Sequence, residues 1–185
     1  KPKAEQYMLL DIRRKNVARN SFNTENFLNI ARGRINKTTH VNKFGYNEAV
    51  ASSFEIISDL GTNVLPTSAG VVTLVSASTS DTSAGTGART VEVQGLDANY
   101  LPLTETFTMN GTTNVVGSES FIRVFRVRVV TAGTGDINAG NITASIGGSD
   151  VARILADKGQ TLMAVYTIPS GKTGYLLKFQ GSLSK

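Results

Sequence analysis

Residues 89–130 read RTVEVQGLDANYLPLTETFTMNGTTNVVGSESFIRVFRVRVV, and this stretch decides the fold class. Polar and apolar side chains alternate along its segments, as in Arg89–Gln94, where Val91 and Val93 share one face. Alternation with a period of two is typical of β-strands that bury one face. Gly95–Tyr100 has the composition of a turn. The stretch therefore predicts consecutive antiparallel strands.

The dipeptide Asn110-Gly111 is the strongest short-range turn signal in the chain. It separates two predicted strands, Leu103–Met109 and Thr112–Val116. Both central residues of a type I′ turn need positive φ, which Asn and Gly tolerate. The dipeptide therefore predicts a β-hairpin between these strands.

Residues Phe121–Val130 are predicted to form the longest strand. Alternation places Phe121, Arg123, Phe125, Val127 and Val129 on one face, and Ile122, Val124, Arg126, Arg128 and Val130 on the other. Both faces are mixed, which indicates a strand that meets the core on one side and a neighbour on the other. We therefore predict that Arg123, Arg126 and Arg128 line a subunit interface.

Further strand patterns flank this stretch and are separated by Gly-rich turns. No helical pattern alternates with them, so a parallel α/β sheet is disfavoured. Short strands with turn signals about every ten residues indicate an all-β fold, an antiparallel β-sandwich or jelly roll. The additional predicted strands are Val71–Ser76, Ile142–Ile146, Val151–Leu155, Leu162–Ile168 and Tyr175–Gln180.

The composition changes between residues 40 and 60, which predicts two parts: a basic N-terminal arm with its lead-in, residues 1–60, and the β body, residues 61–185. Residues 1–40 carry nine Lys or Arg and three acidic residues, whereas the other 145 residues have a balance of −1. A basic arm on a nearly neutral body suggests attachment to an acidic partner. The arm is predicted to be extended and partly helical, with one short helix beginning near Thr24 and ending at Gly33.

The arm is predicted to become ordered when it docks, although a disordered tail is the plainer interpretation. Its basic cluster could neutralise phosphates of a nucleic acid or pair with carboxylates of a protein. We favour the protein partner, because large apolar residues follow the cluster and need an apolar groove. The predicted partner-binding residues are Arg13, Arg14, Lys15, Arg19, Phe22, Phe27, Leu28 and Ile30.

The remaining residues suggest no chemistry. The chain has no Cys, no Trp and a single His, and its carboxylates are spread singly, so we predict no catalytic residue, cofactor or metal site. Asp136, Asn138 and Asn141 resemble a calcium loop, but no glutamate closes it at the required spacing; calcium bridging between loops stays an alternative. No run approaches the ~20 apolar residues that cross a bilayer, so no membrane partner is predicted.

A longer series of short segments resembles a module of structural proteins of tailed bacteriophages. The resemblance covers about residues 60–180 and preserves the order and spacing of the segments. They are Ala84–Val91, Gln94–Tyr100, Glu105-Thr106, Asn110–Thr113, Ser120–Val124, Val130–Gly133, Asn138–Ile142, Gly159–Met163 and Tyr166–Thr173.

The resemblance implies a non-enzymatic structural protein of the virion. The first expectation is a capsid decoration, or cement, protein that docks its arm onto or between major capsid protein subunits. Such proteins are typically homo-oligomers, so the resemblance favours a trimer on the capsid surface. The alternatives are a tail, neck or fibre-adaptor protein, or a carbohydrate-binding attachment module.

Overall fold

The computed structural model describes residues 26–48, 50, 52–61 and 64–182. The chain divides into two compact units, Lys1–Asn42 and Lys43–Lys185. Within the described residues, the first unit contains one helix, α1 (Asn26–Ala31). The second contains seven strands: β1 (Gly70–Ser76), β2 (Ala88–Leu96), β3 (Pro102–Thr108), β4 (Val115–Phe121), β5 (Arg123–Ala132), β6 (Ile142–Ile146) and β7 (Ser149–Ile154).

Helix α1 lies where the sequence places a short helix. Its last turn is closed by hydrogen bonds from Arg32 N to Leu28 O at 2.9 Å and from Gly33 N to Ile30 O at 2.9 Å. Gly33 has φ +67°, the left-handed conformation in which glycine ends helices without steric cost. The predicted cap, Thr24, lies outside the described residues.

The strands form two antiparallel sheets, which confirms the predicted all-β sandwich. One sheet has the order β4-β1-β6-β7 and the other has the order β3-β2-β5. Because β1 and β2, β3 and β4, and β5 and β6 lie in different sheets, the chain crosses repeatedly between layers. Most strand pairs therefore join segments that are distant in sequence.

The core lies between the sheets and follows the period-two alternation of the strands. On β1 the buried side chains are Val72 and Leu74, and on β2 they are Val91 and Val93. Each pair alternates with less buried residues, so one face of each sheet supplies the core. The core also includes Phe107, Met109, Phe121, Val124, Val127, Ile142, Ala144, Ile146, Val151, Ile154 and Met163.

The predicted hairpin at Asn110-Gly111 is wrong, because β3 and β4 lie in different sheets. Only Gly111 has positive φ, +60°. Its N–H donates to Asp81 O at 2.7 Å, and its carbonyl accepts from Ser76 N at 3.0 Å. These bonds hold the turn against the end of β1, so the chain passes from one layer to the other.

The strand predicted over Phe121–Val130 is confirmed from Arg123 onward, and β5 is the longest strand of the described residues, but Phe121 belongs to β4 instead. The predicted strand breaks at Ile122, whose N–H donates to Leu96 O at 2.8 Å, and β5 begins at Arg123 in the other sheet. A bulge opposite Gly95 then shifts the register of β5. As a result, Val124 and Val127 both enter the core, although simple alternation assigns them to opposite faces.

The last two predicted strands have no regular ladder. Residues 161–165 belong to no strand, with Thr161 and Met163 buried and Ala164 exposed, and an isolated bridge joins Gln160 to Arg128 of β5. Tyr175–Gln180 belongs to no strand. Two segments with strand-like sequences therefore lie at the edge of the sandwich without strand partners of their own.

No helix in the described part of the chain is long and apolar enough to cross a membrane.

Candidate interaction surface

The predicted arm residues are only partly visible in the structure. Arg13, Arg14, Lys15, Arg19 and Phe22 lie outside the described residues. Phe27 belongs to α1, and its side chain is not described. Leu28 is exposed and Ile30 is half-buried, so α1 presents at least one apolar side chain to solvent. Their role in partner binding stays a prediction.

The three predicted interface arginines of β5 each have partners within the chain. Arg123 donates through Nη1 to Pro66 O at 2.8 Å and lies over the Tyr100 ring at 5.5 Å. Arg126 Nη2 donates to Gln160 Oε1 at 2.7 Å. These contacts stabilise the loops beside β5, and whether the arginines also face another subunit stays a prediction.

Arg128 forms the tightest ion pair of the described residues, with its Nε 2.7 Å from Glu92 Oε1 on β2. The pair joins neighbouring strands at directly opposed positions. The hydrogen bond from Arg128 holds the pKa of Glu92 below its ordinary value, and the same bond raises the pKa of Arg128. The outer face of the three-stranded sheet is thus polar and internally paired.

Lys43 is a partly buried cation at the edge of β5. Its Nζ donates to Phe125 O and lies 5.9 Å from the centre of the Phe125 ring. The pKa of Lys43 is lowered to about 8, first by burial and then by the positive charge of Arg126. Lys43 therefore ties the start of the second unit to β5 at the cost of holding a cation away from water.

Replacing Lys43 by methionine is expected to remove a pH-dependent part of the stability. Its pKa falls from 10.5 to about 8 on folding, so in that window the unfolded chain binds a proton that the folded chain does not. The stability of the natural protein therefore rises from pH 8 to 10.5 relative to Lys43→Met, by about 1–2 kcal/mol after allowance for solvent screening. Thermal unfolding of both proteins across this window measures the difference, and parallel curves would contradict the assignment.

The loop that resembles a calcium site is held by hydrogen bonds within the chain. The fully buried Asn138 donates through Nδ2 to Gly140 O at 2.8 Å and to Leu155 O at 2.9 Å. Its Oδ1 accepts from Gly159 N at 2.9 Å. Asn141 Oδ1 accepts from Ala156 N at 2.8 Å. These oxygens are occupied by backbone donors, and no group of three or more His, Cys, Asp or Glu side chains in the described residues is arranged to hold a metal.

A carbohydrate-binding module would use exposed aromatic rings, and all four tyrosines of the second unit are at least partly exposed, although two of them also have ring contacts within the chain. The Tyr166 ring packs on Phe125 with 4.9 Å between ring centres, and Tyr100 receives Arg123. Tyr46 and Tyr175 are exposed. An open cleft lies elsewhere, along β1, β6 and β7, and is lined by Val75, Ser76, Ala77, Asn141, Thr143 and Arg153.

Tyr46, Ile57 and Asp59 cover part of the outer edge of the segment that follows β7. Tyr46 N donates to Leu162 O at 3.0 Å, and Ala164 N donates to Ile57 O at 3.0 Å. Leu162 N donates to Asp59 Oδ2 at 2.9 Å, and burial raises the pKa of that carboxyl. These three residues thus bond to backbone groups with which a further strand would pair.

Gly45 permits the closest approach along this edge. A Cβ at this position would lie 2.5 Å from Ile57 O and 2.6 Å from Ala164 N, so no larger residue fits without moving backbone. Phe44 and Tyr46, which flank Gly45 in the sequence, are exposed aromatics. Tyr166 and Ile168, which follow Ala164, are also exposed. We call the exposed apolar residues of these two bonded segments the edge patch: Phe44, Tyr46, Ile57, Tyr166 and Ile168, each between 36% and 52% exposed.

The C-terminal tail, residues 171–182, continues from the edge patch. A turn leads into it, with Lys172 N donating to Pro169 O at 3.2 Å and Gly171 at φ +70°. Every residue of the tail is exposed. Its four large apolar side chains are among the most exposed of the described residues: Tyr175 at 81%, Leu176 at 86%, Leu177 at 63% and Phe179 at 85%.

Exposed apolar surface is typical of interaction sites, and the edge patch and the tail hold nine exposed large apolar side chains, so together they are the best candidate for an interaction surface. The sequence predicts strands of the body at Leu162–Ile168 and Tyr175–Gln180 and places residues 43–60 in the lead-in of the arm, so it does not predict this surface. The signal that could have found the surface is the surplus of apolar strand-forming residues relative to the available sheet edges.

No protein-family model, curated protein or solved structure matches the chain.

Proposed function

We propose that this protein is a non-enzymatic structural subunit of a virus particle, and specifically a capsid decoration protein that binds major capsid protein subunits. One observation carries the proposal: a well-packed sandwich exposes apolar side chains in the edge patch and the C-terminal tail. Such side chains are stabilised when a protein surface covers them. A subunit of an assembly meets that requirement in its working state.

The distribution of charge supports attachment through the N-terminal segment. Residues 1–40 hold nine of the 19 basic residues and only three of the 14 acidic ones. The unit boundary after Asn42 separates this basic segment from the sandwich. A basic segment that binds a capsid surface, together with a folded body, would attach more tightly through several copies than through one.

The interior of the sandwich supports a structural role for the body. The buried polar groups Asp81 and Asn138 are saturated with hydrogen bonds to backbone atoms from distant loops. Saturated buried networks fix loop positions and make a fold rigid. A rigid body of this kind suits a protein that reinforces a shell.

The proposal is tested first by cryo-electron microscopy of the virus whose genome encodes the chain, with copies counted by quantitative mass spectrometry. Many copies across the capsid surface would support a decoration protein. A few copies at one vertex or along the tail would instead support the tail, neck or fibre-adaptor role. Absence from purified particles, with binding of the isolated protein to a glycan array, would overturn the proposal in favour of a carbohydrate-binding module.

Deleting residues 1–40 is expected to lower the occupancy on particles more than tenfold while the sandwich stays folded. The reason is that the deletion removes the basic segment and leaves the strands of the second unit intact. Occupancy is measured on particles that lack the protein, after incubation and sedimentation, and folding is followed by thermal unfolding.

A matched pair of variants separates a specific role of the basic cluster from net charge. Arg13/Arg14/Lys15→Ala and Arg32/Arg34/Lys37→Ala each remove three positive charges from the N-terminal unit. We expect the first variant to weaken attachment more than the second. Full occupancy after deletion of residues 1–40 would argue against N-terminal attachment altogether.

A further inference from the structure

The C-terminal tail has the sequence of a strand but no sheet to join. Tyr175–Gln180 combines aromatic and aliphatic residues that favour pleated, half-buried surfaces. The turn at Pro169–Lys172 starts a return of the chain toward residues 162–168, and a Cβ on Gly174 would lie 2.5 Å from Ile168 Cδ1. The local sequence therefore begins a hairpin whose second strand stays without a ladder.

The reason is competition for one edge. The backbone bonds between Tyr46 and Leu162 and between Ile57 and Ala164 occupy positions where the returning strand would pair. The tail is consequently displaced from its own body. Because the same bonds close this edge in every copy, the tail is expected to regain burial on another molecule through its four exposed apolar side chains and not by strand pairing.

We infer that the C-terminal tail docks on the edge patch of a second copy of this chain, so that copies are joined by tail exchange. The inference names a partner for the candidate interaction surface and rests on the proposed function as an assembly subunit. The same chain carries both the apolar donor and the apolar acceptor, so reciprocal exchange covers both without a further component.

Charge and reach favour this pairing. The tail contains Lys172 and Lys178 and no acidic residue, whereas Glu48 and Glu55, each two residues from a member of the edge patch, are exposed. Opposite charges on the two surfaces favour encounter and register. Ten extended residues span about 33 Å, which is enough to reach from one body to a neighbour.

The area is also sufficient. Each aromatic side chain of the tail buries about 150–250 Å² when covered. Reciprocal exchange buries the aromatic and leucine side chains of two tails and the partner surface that they cover. The total is on the order of 1,200–1,600 Å², the size of specific interfaces.

The test compares the association state of the full chain with that of two variants by analytical ultracentrifugation. The natural protein is expected to associate with a Kd of about 1–50 µM, and Leu176→Ser/Phe179→Ser is expected to weaken association at least tenfold. Val116→Ser is the control, because Val116 is 64% exposed on β4 but belongs to neither the tail nor the edge patch. A natural protein that stays monomeric at about 100 µM would overturn the inference.

Photo-crosslinking identifies the acceptor. Position 179 is replaced by benzoylphenylalanine, and heavy-isotope and unlabelled copies are mixed before irradiation. We expect crosslinks between heavy and light copies, to peptides that contain Phe44, Tyr46, Ile57 or Tyr166. Crosslinks confined within single copies would show that the tail covers its own body and would overturn tail exchange.

The two proposals fail in different ways. A chain that is monomeric in solution yet coats particles would leave the proposed function standing and sink tail exchange. A chain that crosslinks between copies as expected but is missing from virions would support tail exchange and overturn the proposed function.

Discussion

Replacing Asp81 by alanine is expected to destabilise the sandwich by about 3–5 kcal/mol, the largest effect of any polar substitution proposed for this chain. The Asp81 side chain is completely buried. Its Oδ1 accepts from Ala88 N at 2.7 Å and Ala139 N at 2.8 Å, and its Oδ2 accepts from Gly140 N at 3.0 Å and from the Ser76 hydroxyl.

The size of the effect follows from what the carboxylate joins. Its partners lie at the end of β1, at the start of β2 and in the loop before β6, which are distant in sequence. Alanine would leave three backbone N–H groups without this acceptor, those of Ala88 and Gly140 buried and that of Ala139 partly buried, and each buried group without an acceptor costs about 1–3 kcal/mol. The surroundings of the carboxylate are tight, since a Cβ on Gly87 would lie 2.1 Å from Asp81 Oδ1. Little space is therefore available for a water molecule that could replace the carboxylate.

Urea unfolding followed by circular dichroism measures the loss of stability, with an unchanged slope as the check on two-state behaviour. Asp150→Ala is the matched control, because Asp150 is an exposed residue of β7 in a loose 3.5 Å ion pair with Arg153. Its expected cost is below about 0.5 kcal/mol. A cost below about 1 kcal/mol for Asp81→Ala would show that water replaces the carboxylate.

The second large effect is expected for Phe121→Ala, also at about 3–5 kcal/mol. Phe121 is completely buried at the end of β4 and is the largest of the fully buried side chains. A Cβ on Gly95 of β2 would lie 2.8 Å from Phe121 Cδ1, so the ring packs directly on the backbone of the opposite sheet. Truncation would open a cavity between the two layers at the point where the chain crosses from β4 to β5.

Phe179→Ala is the matched control, because it removes the same ring from a position that is 85% exposed. Its expected effect on unfolding is below about 0.5 kcal/mol when measured near 1 µM, where association contributes little to stability. Differential scanning fluorimetry and urea titration compare the two variants. Equal losses for Phe121→Ala and Phe179→Ala would mean that the tail is packed within the fold, contrary to its exposure.

Strand β2 and Asp81 show which features of the fold can be predicted from sequence patterns and which cannot. The alternation around Val91 and Val93 predicts β2, and their complete burial confirms the face that it assigns to the core. By contrast, no pattern marks Asp81 as buried: it lies in a Ser/Thr/Gly-rich loop that reads as a solvent-exposed turn. Its role depends on N–H groups from residues 139 and 140, which only the folded chain brings to it.

The candidate surface was only partly predictable for the same reason. Tyr175–Gln180 was predicted as a strand from its composition, yet the structure leaves it without a ladder. The basic residues Arg126 and Arg128 were predicted to face another subunit, and the structure gives them Gln160 and Glu92 as partners within the chain. Composition predicts whether a segment can form a strand or an interface, but it does not predict which other segment of the folded chain will contact it.

By itself, the sequence determined the all-β class, an antiparallel sandwich or jelly roll. The reason is that a period-two pattern and frequent turn residues depend only on residues that are close together in the sequence. Only the tertiary structure decided which strands pair. Asn110-Gly111 could close a hairpin, but the bonds of Gly111 to Asp81 and Ser76 hold it at the end of β1. Tyr46 and Ile57 bond to the backbone groups of Leu162 and Ala164 with which the C-terminal tail would pair. Segments that are distant in the sequence compete for the same hydrogen-bonding edges. The pairing that forms is the one that gives the whole packed chain the lowest free energy, and no single segment determines it.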